Sequence, residues 1–398
     1  MTVLTADIGT SSLKAALVTE DGLVLSACRV PFILYGTDHA ATEWLPAFNN
    51  AVKMLNASQK PEAVCISGNG PTVVGSGGTT LLWNRDISSL INKDDFTPSL
   101  FLPRIQAFKI LYPKEWENSD FILSGPEYLI YELTGKAVTI LPEERYKSAY
   151  WKEGEKFFGR GFPKFVFPGT PVGRISIKNH QLEGLPVFSG APDFVAALAG
   201  TATLKPGMLC DRAGSSEGLN LCTEKPLCAK GIRTLPSLTK NLWNASVLLS
   251  DTGVRFESYR KLVERTEGKT VSHKEIVHAL LFKSDAIKDD SVLKQGRKLI
   301  EEISIQVKEA VELLTREAEK EKCTLPTFMT VTGGQASNME WNAHKEKVTG
   351  LTVKTPSCTD AELIGDAVFA FTGLKRFSSF AEAADHLCRS KTKLGGTL

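Results

Sequence analysis

Two stretches of the chain share one pattern, in which an apolar strand runs through a glycine- and serine-rich turn into a second strand. They cover residues 3–18 and 208–222. Asp21-Gly22 then predicts a tight turn into a third strand, so the first stretch opens an antiparallel meander. Helical and strand patterns alternate after each stretch, which is typical of α/β proteins. The patterns predict helices at residues 41–55, at 126–133 with Gly135 as a stop, and at 291–321. The repetition predicts two similar α/β domains, residues 1–203 and 204–398.

The composition is that of an ordinary soluble globular protein. Hydrophobic residues make up 42% and charged residues 23% of the 398 residues. The 47 Lys and Arg residues against 45 Asp and Glu residues give a formal charge of +2. The basic residues form no block, so we expect no nucleic-acid partner.

Targeting and membrane segments are not expected either. The N-terminus has neither the basic region nor the long apolar core of a secretory signal. The most apolar later stretch, residues 194–204, is shorter than a membrane span. The eight cysteines have no CxxC spacing, and the six histidines have no HExxH pattern. We therefore expect a cytoplasmic protein with reduced thiols, no membrane association and no histidine-based metal site.

The first candidate site is the turn after the first strand, which begins at Asp7 and ends at Lys14. Gly9 allows a tight turn that exposes backbone N–H groups. The side chains of Thr10, Ser11 and Lys14 add donors for phosphate oxygens. Asp7 stands at the strand end, where its carboxylate is suited to hold Mg²⁺ directly or through water. An ordinary polar hairpin turn is the alternative explanation.

The second candidate is Gly214-Ser215-Ser216, which occupies the matching place in the second stretch. Two such turns in duplicated domains would supply phosphate donors from two sides, as phosphoryl transfer requires. A simple Gly/Ser turn is again the alternative.

The third candidate is Gly333-Gly334, between a predicted strand and a predicted capped helix. Glycines there permit a flat ligand to approach the backbone closely, and the helix N-terminus favours an anion. The predicted cap is Ser337, with Glu340 completing a capping box. A plain strand–helix turn is the alternative.

The last candidate is Asp193, which follows the predicted turn Gly190-Ala-Pro192 at the start of a helix. Its carboxylate is suited either to cap the helix or to accept a proton from a substrate hydroxyl. The sequence leaves both roles open.

In their order along the chain, these motifs resemble those of the FGGY carbohydrate kinases, the family of xylulokinases, gluconate kinases and glycerol kinases. The resemblance covers nearly the whole chain. It implies the actin-like ATPase fold, in which two ribonuclease-H-like domains hold Mg-ATP in the cleft between them. The matching segments are residues 7–14 (first phosphate motif), 123–135 (a segment ending in Leu-Thr-Gly), 190–193 (the turn with the catalytic base), 214–216 (second phosphate loop) and 333–337 (adenosine motif).

The chain departs from the family mainly on the substrate side, and it resembles a shortened member. Trp83-Asn-Arg-Asp-Ile87 replaces the family's Trp-x-Asp-x-Arg pattern, and the loop 68–72, Gly-Asn-Gly-Pro-Thr, replaces a Gly-Gln-Met-His-like loop. Asn69 and Trp83 are the candidate substrate residues in these segments. Glu217 stands where the second phosphate loop usually has glycine, so we expect a negative charge near the phosphates.

The sequence thus predicts a kinase that uses ATP and Mg²⁺ and phosphorylates an alcohol of a sugar, sugar acid or polyol. Asp193 would be the base and would contact the substrate, while Asp7 would bind the metal. Gly333, Gly334 and Asn338 would border the adenosine.

The expected partner is this small-molecule substrate, and a homodimer is left open. Two other functions stay open. One is a degenerate nucleotide-binding sensor or regulator without kinase activity, and the other is an actin-like ATPase that acts on a protein partner.

Overall fold

The computed structural model describes residues 1–55, 60–92, 96, 98–152, 154, 156–178, 180–214, 216–282 and 284–388. The chain divides into two compact units, residues 1–200 with 361–388 and residues 201–360. The predicted domain boundary lies three residues after the end of the first long segment at Gly200. Residues 361–388, predicted to belong to the second domain, pack within the first unit although they follow the second one in sequence. This segment is almost entirely apolar where it begins, and the first unit buries it.

The strands of the described chain are β1 Thr2–Ile8, β2 Ser12–Thr19, β3 Val24–Pro31, β4 Val64–Gly68, β5 Val73–Gly75, β6 Thr80–Leu81, β7 Ile122–Leu123, β8 Thr139–Ile140, β9 Phe165–Val166, β10 Pro171–Arg174, β11 Pro186–Pro192, β12 Leu209–Ala213, β13 Glu217–Thr223, β14 Arg233–Pro236, β15 Trp243–Leu249, β16 Phe328–Thr332 and β17 Thr352–Lys354. The helices are α1 Trp44–Leu55, α2 Leu102–Leu111, α3 Pro113–Asn118, α4 Gly125–Thr134, α5 Asp193–Gly200, α6 Thr252–Glu267, α7 His273–Leu281, α8 Asp290–Lys320, α9 Met339–Thr349, α10 Ala361–Gly373 and α11 Phe380–Leu387. Short 3-10 helices span Ala40–Glu43 and Glu144–Ala149.

The main sheet of the first unit has the strand order β10-β11-β4-β1-β2-β3. β1, β2 and β3 form the predicted antiparallel meander. β4 pairs in parallel with β1 on one side and with β11 on the other. β1 is buried along its whole length, as expected for a strand with both faces covered. Smaller sheets, β6-β5-β7 and β8-β9, complete the unit.

Helices cover this sheet through apolar faces. α1 was predicted from residue 41, and the structure places a 3-10 turn before it. α4 begins with a capping box of Ser124 and Glu127 and ends at Gly135, whose φ of 66° is the left-handed conformation that glycine adopts most easily. The buried residues of α1 recur at helical spacing: Trp44, Ala47, Phe48, Ala51, Val52 and Leu55.

The sheet of the second unit has the strand order β14-β15-β13-β12-β16-β17. β12, β13 and β15 form an antiparallel meander, and β16 and β17 run parallel to β12. The order β15-β13-β12-β16-β17 repeats, with the same directions, the order β3-β2-β1-β4-β11 of the first unit. The predicted duplication of an α/β unit is therefore confirmed.

The long helix α8 was predicted at residues 291–321 and lies within one residue of those bounds. Several elements of the described chain were not predicted, among them α6, α7 and β14. α6 buries only Thr252, Phe256, Tyr259 and Val263 among its 16 residues, so its apolar pattern is sparse.

Candidate functional site

The parallel strands of the first sheet end together at one edge. Gly68, the last residue of β4, is in register with the last residues of β1 and β11. Asp7, Asn69 and Asp193 stand at or next to these strand ends, so the sheet brings three predicted site residues to one edge. Ligands of open α/β sheets bind outside the carboxyl ends of the strands, which makes this edge the candidate site of the unit.

Asp7 is a buried carboxyl group with other charges around it. Lys14 lies opposite it in the β1–β2 pairing, with Nζ 3.4 Å from Asp7 Oδ2. The same Nζ is 3.5 Å from Glu362 Oε2, in the first turn of α10. Burial raises the pKa of Asp7 to about 7 against the attraction of Lys14. Repulsion from Glu362 and Asp193 adds to this rise in pKa, so both carboxylates lie near Asp7.

Behind Asp7, the hydroxyl of Ser67 connects two carboxyl groups. Ser67 Oγ lies 3.1 Å from Asp7 Oδ1 and 2.9 Å from Asp366 Oδ2. A hydroxyl has one proton to donate, so it donates to one of these groups and accepts from the other. Burial, with the nearby charge of Asp7, raises the pKa of Asp366 well above its ordinary value. This rise in pKa favours the neutral form of Asp366, in which its carboxyl group can donate to Ser67 Oγ.

Sequence analysis missed Ser67 and Asp366 as site residues. The one indication in the sequence is an acidic residue four positions after Glu362, on an otherwise apolar helix. That spacing places both carboxyl groups on one face of α10.

The predicted phosphate turn joins β1 to β2. Gly9 N donates to Ser12 O at 3.0 Å, and a Cβ at position 9 would also lie 3.0 Å from that oxygen, so glycine suits this turn. Ser11 is exposed at the tip. Thr10 Oγ1 accepts a hydrogen bond from Trp83 Nε1 at 3.0 Å. The structure thus links a predicted phosphate residue to a predicted substrate residue within the first unit.

Asn69 belongs to the same network. Its Oδ1 accepts from Thr72 Oγ1 at 2.5 Å, and Thr72 Oγ1 accepts from Trp83 N at 3.2 Å. Asn69 is 3% exposed, and its Nδ2 has no hydrogen-bond partner among the described residues. Leaving a buried N–H without a partner costs free energy, so this donor is suited to a ligand or water oxygen.

Arg104 holds the segment that carries Trp83. Its guanidinium donates to Leu82 O at 2.8 Å and to Arg85 O at 2.9 Å. Burial lowers the pKa of Arg104 to about 10, which leaves the side chain charged at neutral pH. Sequence analysis did not identify this residue, because a single basic residue on a helix does not indicate contacts to distant carbonyl groups.

Asp193 is the first residue of α5 and follows β11 directly. Its Oδ1 accepts from Phe194 N at 2.6 Å, and its side chain is partly exposed. The predicted turn at residues 190–192 is wrong, because these residues continue β11. A Cβ at Gly190 would lie 2.3 Å from Ile66 O, so glycine serves close backbone approach here and not a turn.

In the second unit, two turns lie side by side after the parallel strands β12 and β16. Gly214 follows β12, and Gly333 follows β16. Gly333 has a φ of +89°, and a Cβ there would lie 2.6 Å from Ala213 O. Gln335 N faces the same oxygen at 3.4 Å. The predicted second phosphate turn and adenosine turn therefore adjoin within this unit.

Gly214 and Gly334 are both exposed. Gly214 N donates to Ser216 O at 3.0 Å across the predicted phosphate turn. Ser215 lies outside the described residues. Gly334 is exposed, with no atom within 4 Å of its Cβ position, so a ligand can approach its backbone.

Asn338 caps α9. Its Oδ1 accepts from Trp341 N at 3.1 Å, so the predicted cap at Ser337 is wrong. The helix starts one residue later than predicted, and Asn accepts this hydrogen bond as well as Ser does. Asn338 is 7% exposed, and its Nδ2 has no partner among the described residues.

The Glu217 side chain points into the core, where Lys345 compensates its charge. Its side chain is fully buried and contacts Nζ of Lys345. The expectation of a negative charge near the phosphate turn is therefore wrong, because a cation that sequence analysis did not connect to this position neutralises it.

Among the described residues, no group of three or more His, Cys, Asp or Glu side chains is arranged to hold a metal ion. In the same part of the chain, no helix combines the length and the hydropathy needed to cross a bilayer.

Comparison with solved structures identifies the fold. A xylulose kinase from Lactobacillus acidophilus has a TM-score of 0.77 and 13% identity, over 97% of this chain and 92% of that chain. A gluconate kinase from the same organism has a TM-score of 0.74 and 13% identity, over 97% and 92%. A Plasmodium falciparum glycerol kinase with ADP has a TM-score of 0.72 and 16% identity, over 98% and 92%.

No protein-family model and no curated protein matches the chain. The structural likenesses confirm the predicted fold, two ribonuclease-H-like domains of the actin-like ATPase type.

Proposed function

We propose that this chain is an ATP-dependent kinase that transfers a γ-phosphoryl group to an alcohol of a sugar, sugar acid or polyol, as FGGY carbohydrate kinases do. The observation that carries the proposal is the cluster of Asp7, Lys14 and Asp193 at the edge of the first sheet, beside the 9–11 turn. Such a site offers a base, a carboxylate for a metal and donors for phosphate oxygens, the parts that phosphoryl transfer needs. The names of the structural neighbours, xylulose, gluconate and glycerol kinase, agree with this chemistry.

Asp193 is the proposed general base. Its partly exposed carboxylate accepts the proton of the substrate hydroxyl as the alcohol oxygen bonds to the γ-phosphorus. The bond between that phosphorus and the bridging oxygen breaks, and ADP leaves with the bond's electrons. The hydrogen bond from Phe194 N to Oδ1 holds this carboxylate at the start of α5, beside the strand ends.

Asp7 is the proposed metal carboxylate. The described residues contain no complete metal site, but Mg²⁺ commonly binds through one or two carboxylates, waters and substrate phosphates. Asp7 and the neighbouring Glu362 fit that requirement, and a metal there would neutralise phosphate charge. Lys14, Thr10 and Ser11 are proposed to donate to the phosphate oxygens.

The second unit is proposed to bind the rest of the nucleotide. Gly214, Ser215 and Ser216 would contact phosphate, and the exposed backbone of Gly333 and Gly334 would lie against the adenosine. Asn338 offers a buried Nδ2 without a partner among the described residues, at the N-terminus of the 11-residue helix α9. A free donor and a helix N-terminus both favour an electronegative ligand atom.

Asn69 and Trp83 are proposed to contact the substrate alcohol. Asn69 Nδ2 is suited to a hydroxyl oxygen, and the partly exposed indole of Trp83 is suited to the apolar face of a polyol or sugar. Both lie in one hydrogen-bonded network with Thr10, beside the proposed phosphate turn.

The experiment is an ADP-release screen over ketoses, aldonates and polyols at fixed Mg-ATP, with a thermal shift on Mg-ADP measured beside it. A ligand at about a hundred times its Kd stabilises the folded protein by roughly 2.7 kcal/mol, which raises Tm visibly. Release of ADP that depends on one class of alcohol is the expected result.

The other outcomes separate the alternatives. A thermal shift without turnover on any alcohol would indicate a nucleotide-binding sensor. Hydrolysis of ATP that no alcohol accelerates would indicate an ATPase with another partner. No shift with ADP, ATP or an unhydrolysable analogue would contradict nucleotide binding altogether.

A further inference from the structure

A fully buried charged cluster lies beneath the two turns of the second unit. Lys345 Nζ is 2.6 Å from Asp211 Oδ2 and also contacts Glu217 Oε1, and all three side chains are 0% exposed. Asp211 lies within β12, Glu217 begins β13, and Lys345 is on α9. The proposed chemistry uses none of these side chains.

Charged side chains fill this part of the core at a cost in free energy. Burying ions costs several kcal/mol each, and apolar residues of similar volume are often as stable or more stable. Burial and the adjacent charge of Glu217 raise the pKa of Asp211 to about 8, against the attraction of Lys345. Stability alone therefore does not explain this arrangement. The elements that the cluster connects suggest another role.

Glu217 closes the proposed phosphate turn. It pairs with Ala213 as the last residue pair of the β12–β13 hairpin, and the turn 214–216 lies between them. The backbone after the turn is also held, because Asn220 Nδ2 donates to Gly218 O at 2.7 Å. The position of Glu217 therefore determines where the chain returns from the turn into β13.

Lys345 belongs to α9, the helix that follows the proposed adenosine turn at Gly333 and Gly334. It stands in the middle of this helix. Its ammonium thus ties the phosphate turn, through Glu217, to the helix that follows the adenosine turn. The close approach of Gly333 to Ala213 O gives a second contact between the adenosine turn and the end of the β12–β13 hairpin.

We propose that Lys345 and Glu217 are positioning residues that hold the end of the 214–216 turn on α9, so that the turn is preformed for a nucleotide phosphate. The inference rests on the proposed nucleotide binding. Drawing the Glu217 carboxylate into the core also removes a charge that would otherwise repel phosphate. A preformed anion site avoids the cost of ordering a glycine-rich turn on binding.

The test compares Glu217→Ala with Glu217→Gln in the full chain. Gln has the length of Glu and still accepts from the Lys345 ammonium, whereas Ala removes the tie and leaves Lys345 paired with Asp211. We expect Glu217→Ala to raise the calorimetric Kd for Mg-ADP at least about tenfold and Glu217→Gln to stay within about threefold of the parent, because a displaced turn loses its fit. Amide exchange in a peptide covering residues 212–218 should accelerate in Glu217→Ala only.

Two further variants complete the experiment. Glu302→Ala removes an ion-pair partner of Arg255 between α6 and α8 in the same unit, and it should leave the Kd for Mg-ADP unchanged. Glu217→Asp keeps the charge but shortens the side chain, so it decides the question if Glu217→Ala does not fold, and we expect it to weaken Mg-ADP binding.

Parental affinity and parental exchange in the folded Glu217→Ala variant, or parental affinity in Glu217→Asp, would overturn the inference. Tighter binding by both Glu217→Ala and Glu217→Gln would overturn it too, because Glu217 would then act by repulsion. If the parent itself binds no Mg-ADP, the proposed function fails first, and the exchange measurement shows separately whether the turn is held by Glu217.

Discussion

Gly365 on α10 lies directly against the backbone of Ala196 on α5, and a Cβ at position 365 would come within 1.9 Å of the Ala196 carbonyl oxygen. Gly200 makes the reciprocal contact, since its Cβ position is 1.8 Å from Ala361 O. The two helices therefore cross with their backbones in contact. This crossing brings the acidic residues of α10 to the helix that begins with Asp193, so a packing feature determines the electrostatics of the site.

Gly365→Ala should destabilise the protein strongly. Alanine favours a helix over glycine by about 1 kcal/mol, but the added methyl overlaps a backbone oxygen, and we expect a net loss of about 3 kcal/mol or more in the free energy of unfolding. Gly161→Ala is the matched control, because nothing lies within 4 Å of that Cβ position. Urea denaturation of both variants measures the difference, and equal stabilities would contradict the close crossing.

Asp193→Asn should separate catalysis from helix capping. Asn accepts the hydrogen bond from Phe194 N, so Tm should stay within about two degrees of the parent, but it cannot take the hydroxyl proton. Turnover should fall by roughly 10²–10⁴, while Mg-ADP binding is unchanged. Asp290→Asn, at the first residue of α8 and exposed, is the control with parental turnover. If Asp193→Asn turned over an accepted substrate at nearly the parental rate, Asp193 would be a helix cap and not the general base.

Lys345→Met should lower the stability of the second unit. It leaves Asp211 and Glu217 buried without their cation, which costs about 3–5 kcal/mol for a broken buried ion pair. Lys308→Met removes an exposed partner of Glu312 on α8 and should change the free energy of unfolding by less than about 0.5 kcal/mol. Thermal and chemical denaturation compare the two variants. A Lys345→Met protein as stable as the Lys308→Met protein would show that the cluster carries no buried charge.

Glu127→Gln should reduce the dependence of stability on pH. Burial raises the pKa of Glu127 to about 7, against hydrogen bonds from the N–H groups of Ser124 and Ile140. The folded state therefore binds more protons than the unfolded state between the ordinary pKa of this carboxyl and about 7. Between these two pKa values the free energy of unfolding falls as pH rises. The variant has no carboxyl group at this position, so its free energy of unfolding should depend less on pH in this range. Denaturation at pH 5, 6 and 7 gives both slopes, and identical slopes would refute the assignment.

Elements with a strong local pattern were predicted well from the sequence. The meander of β1 to β3, the helix α8 and the stop of α4 at Gly135 follow from alternation, from helical spacing and from a glycine in the left-handed conformation. α6 was missed because only four of its 16 residues are buried. The turn expected at Gly190 was wrong because glycine has two uses, and only the neighbouring strand at Ile66 shows which one applies.

The sequence by itself determined the glycine-rich turns after β1, β12 and β16 and the duplicated α/β order, because these depend on contiguous residues whose backbone preferences are local. Only the tertiary structure decided which side chains meet around them. Ser67 and Asp366 are 299 positions apart, and Lys345 and Glu217 are 128 apart, yet each pair makes a buried contact. The charge of a buried carboxyl group depends on its desolvation and on its neighbours in space, neither of which is a property of the residues beside it in the chain.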